Sequence, residues 1–345
     1  MEELLPKDNE TIHLPLDGPV LPAEPQGFSP EQMIRCDECL RANPPTRVNC
    51  LYCSVTLPLT ESSAKLRKPL LKQPDKHEPG YNCILVAHEE IQLSRESVED
   101  AARLLKLSKE NLQSLVSAKA PLPLARTASR EEAELVVERL SDLGLKTLSI
   151  SDEELGLHQE YLVRPRSFQI EEDGLLLTYS GGTNVVRIAW SDLQLLVSGR
   201  LLEKKLEVKE RMSRGSENEL LDASQFFFDE PIFDLYSFSG SHAWRVGANS
   251  FDFSCLNDQK GLVAGDNLKT LRDLVVSKSS HLKVDDSFNT LRTLLELVWP
   301  TEQETQSTGW RRERPGRLSV GAIMLNSNEA QFTRYSRLRR YLLKD

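Results

Sequence analysis

The spacing Cys36-Asp-Glu-Cys39, ten residues, then Cys50-Leu-Tyr-Cys53 constrains this chain more than any other feature of it. A Cys-x2-Cys turn brings two thiolates to one side of a tight loop, so two such turns can surround a zinc ion tetrahedrally. Four thiolates complete the coordination sphere and leave no position for water. A metal held that way is structural, and its binding free energy holds together a loop too small to fold alone. Cys36, Cys39, Cys50 and Cys53 are therefore the expected ligands of one structural Zn2+. A redox dithiol and an iron–sulfur cluster are the competing uses of such thiols. A redox dithiol belongs at a helix start, and the second, equally spaced pair would have no role in it.

The other cysteines, Cys83 and Cys255, stand alone in apolar, strand-like runs, where a thiol behaves as a small buried hydrophobe. Six cysteines in 345 residues are too few for a secreted disulfide scaffold. Residues 1–35 lack the charged start and apolar core of a signal peptide, and no run approaches the roughly 18 apolar residues of a membrane span. A reducing, cytoplasmic setting is the consistent expectation. With 39% hydrophobic and 28% charged residues, the composition suits a folded chain with polar linkers. It excludes a collagen, a wholly disordered chain and a disulfide miniprotein. The net charge of -9 argues against a general polyanion binder.

Periodicity divides the chain further. Residues 1–32 read as a disordered, acidic, proline-rich leader, because prolines block pairing and little apolar area is present to offset chain entropy. Residues 33–58 form the cysteine module, and 59–79 read as a solvated linker. From 80 to 156 the order is β-α-α-β-α-β, with Ser94, Ser108 and Ser129 as helix caps and Gly144 as a left-handed stop. Pro121 and Pro123 make the strand that contains them an edge strand. In the β domain expected over 160–300, residues 284–300 read as an amphipathic helix with Phe288, Leu291, Leu294, Leu295 and Val298 on one side, halted by Pro300, and from 161 to 278 the period changes to two. Strands alternate there through Val186, Ile188 and Trp190, and residues 250–255 also read as a strand. Residues 212–223 read as a polar loop, and Ala264, Leu268, Leu271 and Val275 mark a covering helix. Residues 301–345 read as a polar, then basic tail, with Arg334, Arg337, Arg339 and Arg340 near its end. The fold class expected is multidomain α+β: a small four-cysteine zinc module, a compact β-α-α-β-α-β domain, and a mostly antiparallel β barrel or sandwich capped by a C-terminal helix.

Three resemblances sharpen these expectations. The pattern Cys-x2-Cys-x3-Asn43-x6-Cys-x2-Cys resembles the Ran-binding-protein-type zinc finger, with Ile34 where that family places a tryptophan. The short rubredoxin-like zinc ribbon is matched equally well. Both imply contacts with proteins or ubiquitin, and some Ran-type members bind single-stranded RNA. Residues 115–124 (LVSAKAPLPL) and 129–150 (SREEAELVVERLSDLGLKTLSI) resemble the C-terminal domain of the bacterial ribosomal stalk protein. That family's glycine-bearing turn toward translation factors reads Leu105-Lys-Leu-Ser-Lys109 here, so the resemblance implies the fold and a bacterial type, not that contact. Residues 185–196 (VVRIAWSDLQLL) and the helix after 249–256 (NSFDFSCL) look like a pleckstrin-homology domain. The loop that is basic in its lipid-binding members holds Glu171, Glu172 and Asp173, so phosphoinositide binding is not expected.

No Gly-x4-Gly-Lys phosphate loop, Gly-x-Gly-x2-Gly turn or Gly-x-Ser-x-Gly elbow occurs. The expected function is therefore that of a non-enzymatic, zinc-binding adaptor or scaffold with an unidentified protein partner. The alternative is an RNA-associated protein using the finger and the arginine-rich tail.

Overall fold

A computed structural model describes residues 27–58, 60, 63, 66–67, 71, 78–86, 93–157, 162–179, 185–211, 219–240, 242–314 and 317–343. The leader up to residue 26, most of the 59–79 linker and residues 212–218 of the expected polar loop lie outside them. The chain divides into two compact units, residues 1–67 and 68–345. The architecture mixes α and β, with four sheets among the described residues. No helix among those residues is long and apolar enough to cross a membrane.

In the first unit, β1 (Ile34–Arg35) and β2 (Ala42–Asn43) pair antiparallel around the first cysteine turn. A bridge between Asn49 and Thr56 closes the second turn. The only buried apolar cluster described there is Ile34, Cys36, Cys50 and Leu57.

The second unit begins with β3 (Tyr81–Leu85), α1 (Arg95–Leu105), α2 (Lys109–Ser117), β4 (Leu122–Thr127), α3 (Arg130–Asp142) and β5 (Thr147–Ser151). The helices start where the sequence places caps. Ser94, Ser108 and Ser129 side chains accept from the N–H groups of Ser97, Asn111 and Glu132, each satisfying a first-turn donor. Gly144 sits at φ +90° just past α3, a conformation glycine adopts without steric cost. The sheet order is β4-β3-β5, both outer strands antiparallel to β3, so the proline-bearing β4 is indeed at an edge.

Next come β6 (Leu162–Val163) and a meander of β7 (Ser167–Ile170), β8 (Gly174–Thr178) and β9 (Val185–Ala189). Two 19-residue strands follow, β10 (Leu193–Arg211) and β11 (Glu219–Ser237), and then β12 (Ala243–Gly247). The chain continues through α4 (Ala264–Lys278), β13 (Lys283–Asp285), α5 (Phe288–Leu295), β14 (Glu302–Arg314), β15 (Arg317–Ser327) and α6 (Glu329–Tyr341). The large sheet runs β14-β15-β10-β11-β12-β6, with β13 parallel to the start of β10.

Pleating buries both faces of that sheet at its inner end. Leu196, Phe233 and Leu235 face a core built with the meander and α4. Leu195, Val197, Ile232 and Tyr236 face the other core, which contains Phe288, Trp299, Phe332 and the apolar residues of β3, β4 and the first three helices. The stretches 80–156 and 160–300, which periodicity separates, thus share one interior. Trp299 Nε1 donates to Asn82 Oδ1 at 2.9 Å within it. Gly199 permits this packing, since a Cβ there would come within 2.5 Å of the Phe332 ring and 2.9 Å of Phe288.

Three expectations are corrected. Residues 301–345 are not a tail: β14 and β15 pair over eleven register positions and extend the large sheet. In α6, Phe332, Tyr335 and Leu338 recur every three residues and are 0–1% exposed. Their burial outweighs the cost of bringing the neighbouring arginines inside. Residues 250–255 are not a strand, because the Asp252 carboxylate accepts from Ser254 N and caps a 3-10 turn that begins at Phe253, in a helical stretch kinked at Asn257. The loop expected at 212–223 is shorter, as β11 already starts at Glu219 and pairs with β10 from there.

Candidate metal centre

Both Cys-x2-Cys segments fold into the same turn. Cys36 N donates to Arg41 O at 3.0 Å and Leu40 N to Cys36 O at 2.8 Å. Cys50 N donates to Val55 O at 2.8 Å and Ser54 N to Cys50 O at 3.1 Å, one register position for one. The residue after each second cysteine, Leu40 and Ser54, adopts a left-handed φ of 58° and 62°. Side chains seldom accept that conformation.

The two turns face each other, and all four Sγ atoms lie within 4.8 Å of one another. The sulfurs approach across the turns, Cys36 to Cys53 and Cys39 to Cys50, each at 3.5 Å. That is far beyond a disulfide bond of about 2.05 Å, and all four are free thiols. The sequence-expected ligands are thus brought together, in a cluster that could hold a metal ion.

Asn43 organises the centre from behind. Fully buried, it accepts from Leu51 N at 2.8 Å and donates to Arg41 O at 3.0 Å and to Cys50 Sγ at 3.4 Å. One amide therefore ties the first turn to the second. Burial works to raise the Cys50 thiol, but the Tyr52 and Cys53 N–H groups and Asn43 outweigh it, bringing it down to about 6. The Val55 N–H favours the Cys53 thiolate, whereas burial and the three neighbouring thiols push that thiol up to about 12. Four sulfurs this close cannot all carry charge without a cation among them.

Outer-shell bonds of this kind tune affinity by roughly 10–100-fold. Asn43→Ala is expected to weaken metal binding within that range, measured by competition with a chromophoric chelator. Unchanged affinity would show that Asn43 only fills space.

Arg67 is not legible from sequence as part of this unit. It sits among the linker charges, yet it is 2% exposed and donates to the carbonyls of Pro45, Leu57 and Pro58 at 2.9–3.3 Å. The module therefore reaches nine residues past its expected end at 58. Nothing local marks Arg67, since its acceptors are main-chain groups on a loop 9–22 residues earlier.

The remaining thiols lie apart from the cluster. Cys83 is fully buried on β3, and burial pushes it up to about 12. Cys255 is half-buried, and burial raises it as well. The arginines expected on a basic tail are also placed: Arg337 and Arg340 are 3% and 6% exposed. Comparison with family models, curated proteins and solved structures finds no match for this chain.

Proposed function

We propose that this chain is a non-enzymatic adaptor of the cytoplasm, whose finger is closed by one zinc ion on Cys36, Cys39, Cys50 and Cys53 and docks a protein partner through its outer face. A Zn–S bond of about 2.3 Å implies sulfurs about 3.8 Å apart in a tetrahedron. The 3.5 Å pairs, within a cluster no wider than 4.8 Å, suit that ion. Bound there, zinc supplies folding energy and offers no vacant position for chemistry. A reducing compartment keeps the thiols available for it.

The observation that carries the docking reading is the finger's exterior. Leu40, Leu51, Tyr52 and Val55 are 59, 51, 55 and 41% exposed, whereas the buried apolar cluster described in this unit is Ile34, Leu57 and two cysteines. Exposed apolar groups gathered on so small a module mark an interaction surface. RNA is less well supported. Stacking of successive bases needs several exposed aromatics, and Tyr52 is the one aromatic between Cys36 and Cys53. Arg337 and Arg340 are 3% and 6% exposed, so the segment presents fewer charges to phosphates than its sequence suggests.

The order β-α-α-β-α-β over residues 81–151 supports the stalk-protein-like reading of that stretch. The meander, β10–β12 and α4 support the pleckstrin-homology-like one. Both serve here as scaffold.

The test compares the full chain with a Leu51→Ser/Tyr52→Ser variant, each shown by elemental analysis to hold one zinc. The wild type is expected to capture the same protein from native extract in every replicate, and the variant to lose it. Equal capture by both would remove the finger face from the reading. RNA binding that falls steeply with salt would favour the nucleic-acid alternative instead.

A further inference from the structure

The long strands β10 and β11 change neighbours along their length. β13 and then β15 occupy the outer side of β10. On β11, β12 covers only Ile232–Leu235, and Glu230 ends that contact by accepting from Asn249 N at 2.7 Å. Among the described residues, no strand pairs with the outer side of Asp222–Asp229. This free row of backbone donors and acceptors carries Phe226, Phe227 and Phe228, which are 45, 71 and 51% exposed.

Proteins blunt such edges with lysine, proline, bulges or short strands. Asp222–Asp229 has no lysine or proline, and its register against Lys209–Leu202 is unbroken. The opposite edge of the same sheet is managed differently. β14 has two register shifts and Gly309 at φ +81°. One edge resists pairing and the other invites it.

We propose that β11 pairs antiparallel with the β11 of a second copy, on a two-fold axis at Phe227. The strand's own chemistry selects this occupant and this register. With the axis there, Phe227 faces Phe227 and Phe226 faces Phe228, so all six phenylalanines oppose one another, Phe227 on one sheet face and the rest on the other. Asp229 faces Gln225, so the acid at the end of the paired row meets a neutral residue. Moving the axis to Phe226 would leave four of the six phenylalanines opposite polar groups, Phe227 facing Gln225 and Phe228 facing Ser224. Asp229 is further compensated by Arg200 at 2.7 Å, and Lys204 lies 5.9 Å from the Phe227 ring. A two-fold pairing is closed, so it ends at a dimer.

Sedimentation of the full chain across the micromolar range tests this. The wild type is expected to be a concentration-dependent dimer. Phe227→Lys puts two like charges on the axis and should weaken association at least about tenfold. Its tryptophan-fluorescence melt should match the wild type's at concentrations where the wild type is monomeric, because Phe227 lies outside both buried cores. A second variant reads the register: Phe227→Cys should form an intermolecular disulfide on mild oxidation, and Gln225→Cys should not. A wild type that stays monomeric overturns the proposal, as does a dimer indifferent to Phe227→Lys. Assemblies larger than a dimer without the Phe227→Cys cross-link would assign pairing to β14 and overturn it equally.

Discussion

Removing the metal from the cysteine cluster, or replacing Cys36 and Cys39 by serine, is expected to unfold residues 33–58 and leave residues 68–345 folded. The reason is the poverty of the first unit's interior. Among the described residues, its buried cluster contains only Ile34 and Leu57 besides cysteines, and its strands are two residues long. Burial of two aliphatic side chains cannot offset the conformational entropy of ordering a segment of this length. Structural zinc sites in comparable fingers contribute about 10–16 kcal/mol of apparent binding free energy at neutral pH, enough to decide whether the loop folds.

The two units give separate signals. All four tryptophans, Trp190, Trp244, Trp299 and Trp310, belong to the second unit. Chelation should therefore open protease sites within 33–58 while the tryptophan-fluorescence melt keeps its midpoint. Cobalt should restore protection and give the absorption of a tetrahedral thiolate site. Protection that survives thorough chelation would mean the loop does not depend on its metal.

Arg245→Met is expected to destabilise the second unit by about 3–5 kcal/mol, because it strands a carboxylate in the interior. Asp234 and Arg245 are cross-strand partners on β11 and β12, with side chains 1% and 2% exposed. Their contact is two-pronged, Nε to Oδ1 at 2.8 Å and Nη2 to Oδ2 at 2.9 Å. Burial on its own would lower the Arg245 guanidinium, and the Asp234 charge and hydrogen bonds outweigh it, holding that group above its ordinary value. The remaining donors reach α6: Nη1 meets Glu329 Oε1 at 2.8 Å, Nη2 meets Thr333 Oγ1 at 3.0 Å, and the guanidinium lies 4.9 Å from the Phe332 ring.

The cost thus includes the anchor of α6 as well as the ion pair. Urea denaturation followed by tryptophan fluorescence should show a lower midpoint at an unchanged slope. Asp234→Leu combined with Arg245→Met should recover much of the loss, since an apolar pair of similar volume leaves no buried charge. A loss below about 1 kcal/mol would place the pair in a solvated setting.

Features carried by short-range patterns are legible in the sequence. The ligand spacing, Asn43 within it, the serine caps of α1–α3, the Gly144 stop and the edge position of β4 each depend on residues a few positions apart. Local pattern misleads where it has a competitor. Phe251 and Phe253 alternate like strand residues, yet the Asp252 cap winds the chain into a 3-10 turn. The arginines of 334–340 read as a solvated run, yet Phe332, Tyr335 and Leu338 on the same helix draw it inside. Arg67 reads as a tether charge because its acceptors are main-chain carbonyls, which leave no mark in a residue pattern.

What this sequence determined by itself is the four-cysteine loop that could hold a metal, the capped starts of α1–α3 and the change of period near residue 160, all set by bonds and contacts within one or two turns of chain. Only the tertiary structure decided that α6 and the β14–β15 hairpin complete the second unit, that Asp234 finds Arg245, and that among the described residues no strand pairs with the outer side of Asp222–Asp229. Those outcomes depend on which distant surfaces exclude water from one another. Hydrophobic burial is non-directional, so a residue's type says that it will seek cover without saying whose.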